Sequence, residues 1–216
     1  MRALETVDIS ALSNEQITAF TTLQVQALST AQVTALTSAQ VQALEVEDLQ
    51  KLDSAQIRAL DSEDIAALSV AQVAALSTSQ VASLSTAQVV ALTTDHMQQL
   101  SVAQIIALST AQIVALQTQD FAALSDIQLA GLTTAQAAAV TSGQISVLTV
   151  DQLNALETAD VTALSTAAIA GLTTVQVSNL TIAQIAALTT TQIAALETAD
   201  VAALTIEQVD ALSAAQ

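Results

Sequence analysis

His96 is the one histidine of the chain and stands beside Asp95 in Thr-Thr-Asp-His-Met-Gln-Gln-Leu, a pairing suited to metal ligation or proton transfer. One imidazole does not make a transition-metal site, and no nucleophile sits at a recognisable spacing from it. The densest acidic groups are Glu45, Glu47 and Asp48, and Asp61, Glu63 and Asp64. Calcium takes about six to eight oxygens, usually around a glycine-aided loop, and neither group has that pattern. Threonine rows such as Thr21 and Thr22, Thr133 and Thr134, and Thr189 and Thr190 hint at a hydroxyl lattice for ice. No glycine-rich phosphate loop, Ser/His/Asp set or paired-carboxylate pocket is recognisable. The expectation is a non-enzyme without catalytic, cofactor-binding or metal-binding residues and without a cofactor. On that reading His96 stands in for a glutamine, and the acids form a solvated face.

Composition narrows the classes further. There are 20 acidic residues against 3 basic ones, a net charge of −17. Such a chain repels phosphate, and Phe20 and Phe121 are its only aromatic residues, so nucleic acid is not a partner. With no Cys, a disulfide scaffold, a Cys-ligated zinc site and a thiol enzyme are excluded. Mean hydropathy is positive, at +0.58, yet no apolar run approaches the ~20 residues of a membrane span. Membrane insertion is not expected. The start, MRALETVDIS, lacks the basic and apolar regions of a signal peptide. A cytosolic protein, an excised segment and export by a signal elsewhere all stay open.

The residues above are set out by a repeat of eight. The chain has 216 residues, which is 27 octads. Leu occupies every eighth position from Leu4 to Leu212 in 25 of 27 cases, the exceptions being Phe20 and Val140. Calling this position a, b is Ser or Thr in 20 of 27 octads, e is Gln in 19 and Asp in 6, and h is Ala in 20. Position f is Ile or Val in 20 of 26. The register never slips, so residues 1–216 read as a single repeat domain.

Eight residues do not close on whole helical turns: at ~100° each they overshoot by ~80°, so the Leu stripe of one long helix would spiral away from any partner. A strand would point a and f to opposite faces, and three glycines cannot serve 27 tight turns. What remains is a helix restarted in every octad. Ser or Thr at b followed by Gln at e is the capping-box pattern. The expected fold is all-α, a solenoid of short capped helices with one thin continuous core. On a wheel, d, h, a and f form the buried arc, with e inside it, and c and g face out. Alanine at h and d is expected to let coils approach closely.

Where e is Asp (Asp8, Asp48, Asp64, Asp120, Asp160, Asp200), b is Glu5, Glu45, Asp61, Gln117, Glu157 or Glu197. A shared hydrogen-bonded space, in which a long b compensates a short e, is one explanation; duplication of one octad is the other. A longer period of 40 residues relates segments 85–124, 125–164 and 165–204, aligning Gly131 with Gly171. It reflects duplication or a whole number of superhelical turns, and duplication is favoured.

The octad Leu-Ser-Thr-Ala-Gln-Val-x-Ala, as at 28–35, 84–91 and 108–115 (Ile for Val in the last), resembles the octapeptide arrays of very large secreted or surface bacterial proteins of the adhesin type. The resemblance implies an extracellular or cell-surface spacer or stalk. The octad is also similar to the first helix of DNA-reading helical repeats, but the second helix, the base-reading loop and the basic charge are missing. The first functional expectation is therefore a structural spacer or scaffold. The second is a module binding protein, glycan or ice through c and g. Self-association is expected end to end, or through apolar c residues Val46, Val70, Val102, Val150, Ile182 and Ile206. Terminal coils leave core residues uncovered unless capped, and Phe20 and Leu23 are candidate caps.

Overall fold

The octad 84–91 shows how eight residues make one structural unit. Ser85 is extended, at φ −70° and ψ 161°, and its Oγ accepts the Gln88 N–H at 3.1 Å. In return, Gln88 Oε1 accepts the Ser85 N–H at 2.8 Å. The pair satisfies two of the N–H groups that a helix start leaves without partners. Helix Thr86–Ala91 follows and stops at Leu92, which is extended again at ψ 137°. Extended residues at a and b thus carry the chain from one helix to the next. No described residue has a positive φ, so the link needs no glycine, and 27 octads manage with three.

The computed structural model describes residue 1 and residues 3–216. Among these residues there are 26 helices, from Thr6–Ala11 to Ile206–Asp210, and no strand. The fold is all-α, as the capping pattern predicts. Residues 1–108 and 109–216 form two compact units. In the first, helix Ser38–Ala43 packs on Asn14–Thr18, three octads earlier, and on Ser62–Ala67, three octads later. In the second, Thr158–Ala163 packs in the same way on Thr134–Ala139 and Ile182–Ala187. Each unit is a solenoid in which the chain returns over itself between three and four octads later. A helix of this length is unstable alone, so the stacking is what holds it.

The core consists of the a and f rows: Val89 is 0% exposed and Leu92 3%, Ile185 0% and Leu188 3%. The expected place of d in this core is overturned. Position d faces solvent in every octad, as at Ala31, Ala87 and Val175. The capping box turns e inward, and the buried arc then runs from e through a to f. Position d lies ~100° beyond e and falls outside. Position h is half-buried, at Ala35, Ala67, Ala107 and Ala163, so h alone serves close approach. Position c faces out in most octads, as expected, and is half-buried at a few, such as Ser38, Val46, Val102 and Val150.

Candidate functional site

The polar chemistry of the chain is concentrated at e, and e is buried. Gln88 is 2% exposed, and all of its polar capacity is used. Its Oε1 holds the Ser85 N–H of its own octad. Its Nε2 donates to Ile57 O at 2.9 Å and Leu60 O at 2.8 Å, 31 and 28 residues back. Those carbonyls belong to the last turn of a helix and its extended exit, where intrahelical donors run out. The same pattern joins Gln40 to Ile9 and Leu12, and Gln192 to Val161 and Leu164. Burying an unsatisfied amide would cost about 1–3 kcal/mol, and these bonds remove that cost. Capping explains only the Oε1 half of this arrangement. The signal for the other half was in the composition: a carboxylate caps as well as an amide, yet Glu never occurs at e.

His96 takes the same place, 3% exposed. Its Nδ1 accepts the Thr93 N–H at 3.2 Å, and its Nε2 lies 2.9 Å from Leu68 O. A backbone N–H can only donate, so Nδ1 is the acceptor and Nε2 carries the proton toward the carbonyl. Asp95, at d, is exposed, and the structure does not bring it together with the buried imidazole.

The two acidic groups divide in the same way. Asp48 and Asp64 are buried, whereas Glu45, Glu47, Asp61 and Glu63 are exposed. Among the described residues no three His, Cys, Asp or Glu side chains converge as a metal site. Asp64 accepts the Asp61 N–H through Oδ2 at 3.1 Å and the Ser38 hydroxyl through Oδ1 at 2.9 Å. Both oxygens of Asp120 are buried without a hydrogen-bond donor. Burial pushes the carboxyls of Asp48, Asp64, Asp120 and Asp160 above their ordinary range; Glu45 and Glu47 add to this at Asp48, and Glu157 at Asp160. The expected sharing of one hydrogen-bonded space by b and e is found at Glu5 with Asp8, Asp61 with Asp64 and Glu197 with Asp200, which form reciprocal capping boxes, but Glu45, Gln117 and Glu157 make no side-chain cap. Glu45 and Glu157 are exposed.

Position g is exposed in most octads, as expected, yet among the described residues six of its side chains bond to the coil ahead. Thr18 and Thr34 donate to Ala43 O and Ala59 O, each at 3.0 Å and 25 residues ahead. Gln50, Arg58, Asn154 and Thr162 reach the h carbonyls of Ala75, Ser83, Asn179 and Ala187 in the same register. Arg58 also borders an open depression of about 330 Å³ with Ser54, Ala55 and Ser83. Nothing in the sequence signals these bonds, because g is Ala, Val or Ile in about half of the octads and the donors that do bond are of four kinds, Thr, Gln, Arg and Asn.

A family profile described as the ALTTAQ repeat matches residues 1–38, 15–46, 41–78, 73–102, 113–150 and 153–190. The motif spells positions h to e, as in Gly131–Gln136, which reads GLTTAQ. These stretches take in most of the sequence, and the chain belongs to the ALTTAQ repeat family. A comparison with curated proteins finds no match. Among the described residues no helix is long and apolar enough to cross a membrane.

Proposed function

We propose that this ALTTAQ repeat chain is a non-catalytic structural module, a spacer or scaffold within a large secreted or surface bacterial protein. One observation carries the reading: the polar groups that a site would need are spent on the adjoining coil. The e amides and His96 serve carbonyls 28 residues back, and the donors at g serve carbonyls 25 residues ahead. An array bonded in this way is extended by adding octads, each bringing its own cap and its own amide. The acidic composition and the absence of Cys suit an extracellular setting, and the likeness to adhesin-type arrays supports it. A binding role through c and g is less well supported, since the residues at these exposed positions vary from octad to octad and several g donors are engaged. Small-angle scattering on chains with octads added or removed tests the spacer reading. Maximum dimension should grow in proportion to octad number; a dimension independent of it would overturn the proposal. Surface placement is tested by antibody labelling of intact against permeabilised cells of the native host.

A further inference from the structure

In most octads the amide at e is a rung in a ladder that ties each coil to the one before it. On either side of Asp48, Gln40 donates to Leu12 O at 2.8 Å and Gln56 to Leu28 O at 2.7 Å. In the second unit, Gln152, one octad before Asp160, donates to Leu124 O at 2.7 Å. The register therefore sets Asp48 over the carbonyls of Phe20 and Ile17, and Asp160 over those of Leu132 and Leu129, the offsets of 28 and 31 residues found at Gln88. A carboxylate has no hydrogen to offer a carbonyl. Oxygen thus faces oxygen where water is largely excluded, since Asp48 is 2% exposed and Asp160 3%.

Neither carboxylate is engaged elsewhere. Among the described residues no donor bonds to Asp48 or Asp160, whereas both oxygens of Asp64 are bonded, to the Asp61 N–H and the Ser38 hydroxyl. Glu45 and Glu157, at b, do not cap their helices, and they stand close enough for their charge to be felt at Asp48 and Asp160. Each place therefore gathers a buried carboxylate, an exposed one beside it and two backbone carbonyls from the preceding coil. The spacing suits a bridging ion. Aspartate is one carbon–carbon bond, about 1.5 Å, shorter than glutamine. Added to an amide bond of ~2.8 Å, this leaves about 4.3 Å between carboxylate and carbonyl oxygens, within the span of two calcium–oxygen bonds of ~2.4 Å.

We propose that Asp48 and Asp160 each seat a calcium ion between coils, shared by the buried carboxylate, the two carbonyls of the preceding coil and the carboxylate of Glu45 or Glu157. Two carboxylates balance the charge of one divalent cation, and water completes the shell of about six to eight oxygens. The glycine-aided loop of other calcium sites has no counterpart here, because the stacking of coils delivers the carbonyls. Magnesium, with shorter bonds and a reluctance to shed water, fits this seat less well. Asp64 offers no seat, since its oxygens are already bonded. The proposal does not depend on the spacer reading.

The experiment is equilibrium dialysis of calcium against the chelator-stripped 216-residue chain, in ~0.15 M NaCl to screen the diffuse acidic surface. Thermal melts at neutral pH accompany it. Calcium should raise the melting temperature, because it binds only the folded coils, and NaCl of equal ionic strength should not reproduce the rise. Asp48→Gln and Asp160→Gln restore the usual amide at e, so both variants should fold. Each should lose one bound ion, and the double variant two. Asp64→Gln should bind like the parent. Should a glutamine variant fail to fold, Asp160→Asn, neutral and of the same size, takes its place. A chain that binds no calcium, a melting temperature that answers only to ionic strength, or binding that survives both substitutions would each overturn the proposal.

Discussion

Gln88 meets three backbone groups with one oxygen and one NH₂, and the other residues found at e can be ranked by how much of that they reproduce. A histidine reproduces one acceptor and one donor. His96→Gln is therefore expected to keep or raise the melting temperature, and His96→Ala to cost about 1–3 kcal/mol, as a buried donor and acceptor lose their partner. An aspartate has no donor unless protonated. At Asp120, burial raises the folded carboxyl above its ordinary value of 3.8, so the folded chain holds the proton more tightly than the unfolded one. That contribution to stability is complete below the unfolded value and is lost as pH rises through the raised folded value. Asp48, Asp64 and Asp160 act in the same direction, and acid also relieves the self-repulsion of the −17 chain. Thermal melts should thus show a higher melting temperature near pH ~4.5 than near pH ~7.5. Asp120→Asn should raise the neutral value and narrow that difference; a fall at neutral pH would count against the unpartnered carboxylate as a source of instability.

One element departs from the rule. Octad 164–171 has Ala168 where the amide should be, and it ends in Gly171 rather than Ala. A Cβ on Gly171 would lie 2.6 Å from Ser142 Cβ and 2.8 Å from Ser142 Cα. Helix Thr166–Ala170 thus ends against Ser142 of the preceding coil, and only glycine fits there. Gly171→Ala should destabilise by about 1–3 kcal/mol through overpacking. Gly143, inside helix Ser142–Ser146, is different: an added Cβ would meet only Thr118 Cγ2 at 3.4 Å. Gly143→Ala should stabilise by about 0.5–1 kcal/mol, from reduced unfolded-state entropy and better helix propensity. Paired urea melts of the two variants should move in opposite directions. At this scale the sequence was legible where chemistry is local. The b and e pair announced helix starts from Ser13 to Thr205, because cap and amide lie within one turn. It misjudged d, because which edge of a short helix is covered depends on the neighbouring coil.

For the whole molecule, the offset of 28 residues, three and a half octads, between an amide and its carbonyl decides which changes are tolerated. A coil of between three and four octads does not divide 40 residues, which speaks against superhelical turns as the source of the longer period. Every octad presents the same a and f carbonyls, so deleting a complete one brings each later amide over an equivalent pair. Removal of residues 77–84 should leave far-UV circular dichroism per residue nearly unchanged and the melt cooperative. Removal of residues 77–80 alone puts e over the wrong backbone groups and should cost helical signal and stability together. Equal behaviour of the two deletions would show that register is not what the ladder enforces.

The sequence by itself determined the unit: its length, its capped start, its all-helical character, and Leu with Ile or Val as core. These follow from hydrogen bonds and apolar spacing within eight residues, as at Ser85, Gln88, Val89 and Leu92. Only the tertiary structure decided how units meet. The 28-residue return, the second use of each buried amide, the bonds from g and the exposure of d all involve partners some three octads away. No periodicity of eight encodes that distance, because a repeat that looks alike in every octad fits any whole-octad offset equally well until side-chain reach and helix packing select one.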